Sequence, residues 1–321
     1  METMEEAQDG FNSMFIYFAV VCIFIVIVVG AVGNMVTIIA LLKCPKTRTA
    51  TTAFIINLSL VDFIFCVLCL PFSASIYLNH SWVHGDALCI LFPLLRYSNV
   101  GLSVLSIVAI TINRYIFIAH PALYSTVYSR KSHVAAMIAG IWLFSFSLMI
   151  PPLTGKWGKF GFDPDIISCT ILEVNGRSPK QFLFLLGFLL PALAIVLCYL
   201  RIFWVIYQSR SRLNSYGSPG NQGFSIRPSE WRLTRTVLII FCSFLFCYLP
   251  ITIIKQVANR KQLYAEIHVL GNLLLYLGAC INPVLYGATN PLYRKAYRNL
   301  LPCLRSDPPT SSTSHSAENK V

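Results

Sequence analysis

The feature that most constrains this chain is a set of seven long apolar runs, at residues 14–42, 53–78, 88–119, 134–153, 182–207, 237–257 and 267–288. Each is long enough to cross about 30 Å of hydrocarbon at about 1.5 Å per helical residue. Hydrocarbon offers the backbone no hydrogen-bond partners, so such a run must satisfy its own amides and form a helix. Composition agrees: 56% of the 321 residues are hydrophobic and 12% charged, and the apolar residues come in blocks, not at amphipathic spacing. The expected architecture is an all-α membrane protein, a seven-transmembrane helix bundle.

The opening METMEEAQDG is acidic where a secretory leader is basic, and the first run exceeds a leader's apolar core, so a retained span is expected there. Orientation follows from Lys and Arg near the span ends. One set of loops carries thirteen basic residues, among them Lys43, Lys46, Arg130, Lys131, Arg294 and Arg298, and the other set seven, among them Lys156, Arg177 and Lys261. This asymmetry predicts an extracellular N-terminus and a cytoplasmic tail. The net charge of +12 then belongs mostly to a cytoplasmic face near anionic lipid and acidic partners. It is no nucleic-acid footprint.

Of 11 cysteines, only Cys89 and Cys169 fall on the oxidising side. A disulfide between them is expected, with two free thiols as the alternative. Cysteines inside the spans read as small apolar residues.

The third run ends in AITINRYIFIAHP, residues 109–121. Arginine in hydrocarbon costs about 2.5–3.5 kcal/mol, so Arg114 needs something to hold it. On a helix, steps of seven and then eleven residues return close to one face, so Cys89, Arg96, Ser103 and Arg114 point the same way. Cys89 is tied to an external loop and charge avoids lipid, so that face looks into the bundle. Asn34, Asp62 and Asn282 add polar groups to other spans. Asp62 is either part of a structural network or a site for a cation or proton. Pro71, Pro191, Pro250 and Pro283 interrupt the backbone ladder and supply kinks for a switch.

The motifs GNMV (33–36), NLSLVD (57–62), NRY (113–115), FLFCYLP (244–250) and NPVLY (282–286), with Cys89 and Cys169, Trp142, Pro191 and Tyr199, resemble the ordered marks of rhodopsin-like (class A) G protein-coupled receptors. Within that family, TINRYIFIAHPALYS, WGKFGFDP, EWRLTRTVLIIF and CYLPITIIK resemble the insect orphan receptors Trapped in endoderm and Moody. The resemblance implies G protein signalling in cell migration, polarity or barrier formation. Its implied partners are a heterotrimeric G protein, arrestin, receptor kinases and a small-molecule or lipid ligand at the plasma membrane.

The resemblance also implies roles. Arg114 is held by acids at rest and released when the sixth span swings outward; Tyr199 and Tyr286 then close around it, with Asn113, Tyr115, Phe244, Pro250, Asn282 and Pro283 completing the switch. Most relatives carry Asp or Glu directly before the arginine, whereas Asn113 cannot neutralise it. That leaves Glu230, twenty residues before Pro250, as the lock; the alternative is a solvated helix-start acid favoured by the dipole. A structural sodium ion is implied near Asp62 and Ser103, although Gly278 stands where a coordinating Asn is common. Tyr248 replaces a frequent Trp.

Arg96 lies about 10 Å below Cys89 on the inward face. With Tyr97, Tyr248, Asn272 and Tyr276 nearby by family position, it reads as an anchor for a carboxylate or phosphate on an apolar body, such as an anionic lipid. The alternative is an internal pair with Glu173 or Asp165.

Rival classes are a multi-pass transporter or channel, a retinal photoreceptor and an intramembrane enzyme. A transporter predicts internal repeats, and none is visible. A retinal receptor needs a seventh-span lysine where Tyr276 falls. The histidines lie at loops, span ends or the tail, so no enzyme is expected. Asn79 heads a glycosylation sequon, Cys303 could carry palmitate, and NPLYRKAYRNLLPCL from Asn290 reads as a membrane-surface helix. The expected organisation is an extracellular arm at 1–13, a receptor domain with surface helix at 14–302, and a Ser-rich disordered tail at 303–321.

Overall fold

The computed structural model describes residues 13–43, 49–164, 167–215, 228–257 and 265–300. The expected arm and tail, with Cys303, lie outside the described residues. The first span is Ser13–Lys43 and the third Asp86–Ala119. The sixth is Pro228–Val257 and the seventh Ala265–Thr289. Among the described residues six helices are long and apolar enough to cross a membrane. The fourth, Lys131–Ser147, has 17 residues. Its apolar run does not stay helical to 153: it breaks at Leu148 and Met149 and resumes as Ile150–Leu153, whose second and third residues are prolines. The sixth span begins nine residues before the apolar run, because its first turns carry Glu230, which pairs with Arg114 at the end of the bundle away from the hairpin.

Two spans are divided by wide turns placed just before a proline. The second runs Ala50–Ile64, a π turn Phe65–Cys69, then Leu70–Asn79. The fifth runs Lys180–Phe184, a π turn Leu185–Leu189, then Leu190–Ser215. A proline ring clashes with the carbonyl four residues back and cannot donate to it. Opening the preceding turn lets the Leu70 N–H reach the Phe65 carbonyl and the Leu190 N–H reach that of Leu185. Pro250 and Pro283 stay within continuous helices, as does Pro93, a further in-span proline.

Over the central 18 residues, burial is 61% in the second span and 56% in the third, against 33% in the first and 28% in the fifth. The second and third therefore form the interior. The outward faces of the first and fifth show Phe18, Phe24, Leu193 and Leu200, as a lipid-facing surface requires.

A hairpin, β1 (Lys159–Asp163) antiparallel to β2 (Ser168–Leu172), packs on the third span. The Cys89–Cys169 disulfide, with Cα atoms 5.3 Å apart, ties it to the start of that helix. Trp82 backs the junction, its ring centroid 5.7 Å from that of Phe92. At the other end, Asn290 caps the surface helix Pro291–Arg298, its Oδ1 accepting from the Leu292 N–H at 3.0 Å.

Candidate functional site

The third span places charge at both ends of the bundle. At the hairpin end it opens onto a cavity of about 1560 Å³ whose lining includes Arg96, Tyr97, Tyr248, Asn272 and Tyr276. This exceeds the about 300–1,000 Å³ of an ordinary small-molecule site. Arg96 is buried, and its Nη2 donates to Asn272 Oδ1 at 2.6 Å. Asn272 in turn donates from Nδ2 to the Tyr77 hydroxyl at 3.2 Å. The guanidinium carbon lies 5.8 Å from the Tyr276 ring centroid and 6.0 Å from that of Phe92. Among the described residues no carboxylate is within ion-pair distance of Arg96. Glu173 lines the same cavity; Asp165 lies outside the described residues. The arginine thus keeps its charge against neutral partners. Tyr97 reaches sideways to the hairpin, its hydroxyl 2.8 Å from Thr170 Oγ1. Tyr248 forms the floor, stacked on Phe244 with centroids 4.1 Å apart.

Below it, Asp62 accepts from Asn282 Nδ2 at 2.8 Å and from Ser103 Oγ at 3.5 Å. The cavity beside them is about 10 Å³, with Ser243, Tyr248 and Gly278 in its wall, room for about one water. The site offers a cation the Asp62 carboxylate and the hydroxyls of Ser103, Ser243 and Tyr248, while Asn282 turns its amide N–H to Asp62. A Cβ on Gly278 would stand 3.2 Å from the Tyr248 ring, so that ring already fills the space a further ligand would need. These residues fit a water better than the sodium ion the resemblance implied. Among the described residues no group of three metal-binding side chains occurs.

A neighbouring network fixes the helices. Asn57 donates to Ser106 Oγ at 2.8 Å and accepts from Trp142 Nε1 at 2.8 Å. Asn34 donates to the carbonyl of Ala279 at 2.8 Å.

At the end away from the hairpin Arg114 is 3% exposed, and its Nη1 donates to Glu230 Oε2 at 2.7 Å. Its Nη2 donates to Asn113 Oδ1 at 2.9 Å and to Thr51 Oγ1, and Thr51 donates to Asn113 Oδ1 at 2.6 Å. The Phe117 ring lies 5.0 Å from the guanidinium carbon. Asn113 thus supplies Arg114 with a neutral acceptor. Tyr115 faces away, its hydroxyl 3.3 Å from His120 Nε2. Neither phenol assigned to the switch hydrogen-bonds Arg114 here: Tyr199 donates to the Thr234 carbonyl at 3.1 Å, and the buried Tyr286 hydroxyl has no hydrogen-bond partner among the described residues. The Tyr286 ring stacks on Tyr293, with centroids 5.3 Å apart. Pro283 offers its carbonyl to Tyr297 at 3.4 Å, and Pro250 is half-buried in the sixth span.

The family model for 7 transmembrane receptors (rhodopsin family) matches residues 33–286. The chain belongs to the rhodopsin-like family of G protein-coupled receptors. The receptor is 38% identical to the G-protein coupled receptor moody of Drosophila melanogaster, over 94% of this chain and 54% of that protein. It is 36% identical to Protein trapped in endoderm-1 of the same organism, over 88% of this chain and 76% of that one. It spans about half the length of its moody relative. Squid rhodopsin superposes with a TM-score of 0.78 at 23% identity, covering 93% of this chain and 89% of the rhodopsin; that likeness shows the fold alone. The receptor is therefore a multi-pass membrane protein and no enzyme.

Residue-level reasoning passed over Thr51 and Tyr77. A signal for Thr51 was present. Thr51 and Asp62 are eleven residues apart, as are Ser103 and Arg114. Eleven residues turn a helix about 1,100°, so each pair shares a face. On antiparallel neighbours, the Asp62 to Ser103 contact brings Thr51 to Arg114. Tyr77 gave no such signal, because it lies beyond the π turn that shifts its face.

Proposed function

We propose that the receptor carries a signal from an anionic ligand in the outer cavity to a heterotrimeric G protein on the cytoplasmic side, with its N-terminus extracellular. The observation that carries this reading is the third span. One helix of 34 residues presents Arg96 to the cavity and Arg114 to Glu230, about 27 Å further along. The moody relative is named a G-protein coupled receptor, which supports the same transducer here. A role in cell migration, polarity or barrier formation, and engagement of arrestin and receptor kinases, belong to the same proposal.

The resting arrangement follows from charge. Glu230 sits on the sixth span and holds Arg114 from the side; an outward swing of that span removes the only carboxylate paired with it among the described residues. Thr51 and Asn113 are neutral and hold it more weakly. Tyr286 keeps a buried, unpartnered hydroxyl at rest, a state that costs about 1–3 kcal/mol and is relieved when the rearranged bundle gives it a partner. At the outer end, a carboxylate or phosphate would replace the Asn272 amide oxygen as the acceptor for Arg96, gaining a charge-assisted bond in a dry site.

The test is nucleotide exchange on each G protein type by the full chain in nanodiscs, with and without anionic lipid. Arg114→Gln should abolish exchange, and Arg96→Gln should remove the response to anionic lipid while leaving basal exchange. Undiminished exchange by Arg114→Gln would defeat the proposal.

A further inference from the structure

The outer cavity does not end at Arg96. It continues into a cleft between the third, fourth and fifth spans, lined by Val100, Gly101, Ser145, Leu148, Leu183 and Gly187. The wall is apolar apart from Ser145, whose hydroxyl is buried and has no hydrogen-bond partner among the described residues. The third and fourth spans close one side tightly: a Cβ on Gly101 would stand 3.2 Å from Ser145 Oγ. The other side is open. Among the described residues the fourth and fifth spans scarcely meet along their backbones, and a Cβ on Gly187 would meet only Leu148 Cδ1, at 4.0 Å. Gly187 lies in the π turn of the fifth span, so the widened turn and the missing side chain fall at the same place.

From these features we infer that the ligand is a single-chain anionic amphiphile. Its head binds Arg96 and Asn272, its chain lies in this cleft, and it enters from the bilayer between the fourth and fifth spans. The inference rests on the anionic-ligand reading above and adds the chain, its place and its route. Three observations converge on it. Arg96 is a buried cation bonded to neutral partners, so the head is anionic. The cleft is apolar and adjoins lipid, so the rest of the molecule is hydrocarbon. The cavity of about 1560 Å³ exceeds what a head group alone fills. Ser145 faces Gly101, five residues or about 7.5 Å along the third helix from Arg96. That depth suits the ester joining head to chain, whose carbonyl would accept from the Ser145 hydroxyl.

The experiment measures binding of lysophosphatidates with chains of six to eighteen carbons to the full receptor in zwitterionic nanodiscs. It compares the unmodified protein, Gly187→Phe, which fills the cleft, and Arg96→Gln, which removes the head contact. Partition into the nanodisc is common to all three, so ratios at each chain length isolate the site. The unmodified protein should gain affinity over Gly187→Phe as the chain lengthens, several-fold in total, until the chain fills the cleft, and Arg96→Gln should weaken all chains by a similar factor. An unmodified-to-Gly187→Phe ratio that stays flat with chain length overturns the cleft while leaving the anionic head in place. Chain-length dependence with no loss in Arg96→Gln overturns the head contact, and the anionic-ligand reading with it. The same series run on alkyl-ether analogues tests Ser145: the ester should bind several-fold better, and Ser145→Ala should erase that preference.

Discussion

Removing the acid that holds Arg114 should raise signalling in the absence of ligand, and the structure sets how far. Arg114 is 3% exposed and Glu230 30%, with 2.7 Å between charged atoms. Breaking a fully buried pair from one side costs about 3–5 kcal/mol, while a solvated pair is worth about 0.2–1 kcal/mol. Glu230 is partly open to water, and after Glu230→Ala the guanidinium still has Thr51 and Asn113. The resting state should therefore lose about 1–2 kcal/mol relative to the active one, a shift of about 5- to 30-fold. A receptor resting about 1% active would move to about 5–25%. The assay is ligand-free nucleotide exchange in zwitterionic nanodiscs. Glu230→Gln serves as control, since it keeps side-chain length and removes only the charge. Raising salt should narrow the difference between wild type and variant, because the acid is partly solvated. Basal exchange unchanged in both variants, with the protein folded, would refute the view that this pair restrains the sixth span.

Further outcomes follow from other contacts. Thr51→Val removes a neutral acceptor from Arg114 and should raise basal exchange by a smaller factor than Glu230→Ala, measured in the same assay. Trp142→Phe leaves the buried Asn57 Oδ1 without its donor and should destabilise by about 1–3 kcal/mol, seen as a lower melting temperature with ligand affinity retained. Gly30→Ala would place a Cβ 2.5 Å from Cys66 Sγ; it should cost about 1–3 kcal/mol, and Gly30→Ala with Cys66→Ala should recover most of the loss. Cys169→Ser frees the hairpin from the third span and should reduce ligand binding more than thermal stability, checked by the two measurements side by side.

Much of this fold was legible because lipid imposes one rule on every span. Length and apolarity gave the helices, and the inward face of the third span followed from spacing together with the tether at Cys89 and the avoidance of lipid by charge: Cys89, Arg96, Ser103 and Arg114 are all buried. The disulfide was equally open to reasoning, since compartment left two cysteines on the oxidising side. The π turns were not legible. They answer the prolines at 71 and 191 through backbone strain that leaves no periodic trace, and they move Tyr77 and Gly187 onto faces that simple counting misplaces. Family position placed Asn272 near Arg96, but its role as the direct acceptor was not legible, because a neutral amide carries less signal than an acid. The fourth span's early end reflects Pro151 and Pro152, which hydropathy does not weigh.

The two widened turns have a consequence for how such a molecule can diversify. Each absorbs about one residue beyond the regular winding, which rotates everything on its outer side by about 100° relative to everything within. The second and fifth spans are therefore each two separately indexed rods. Mutation can re-aim the halves around the cavity while the halves around Arg114 keep their alignment, so one end of the bundle can change without retuning the other.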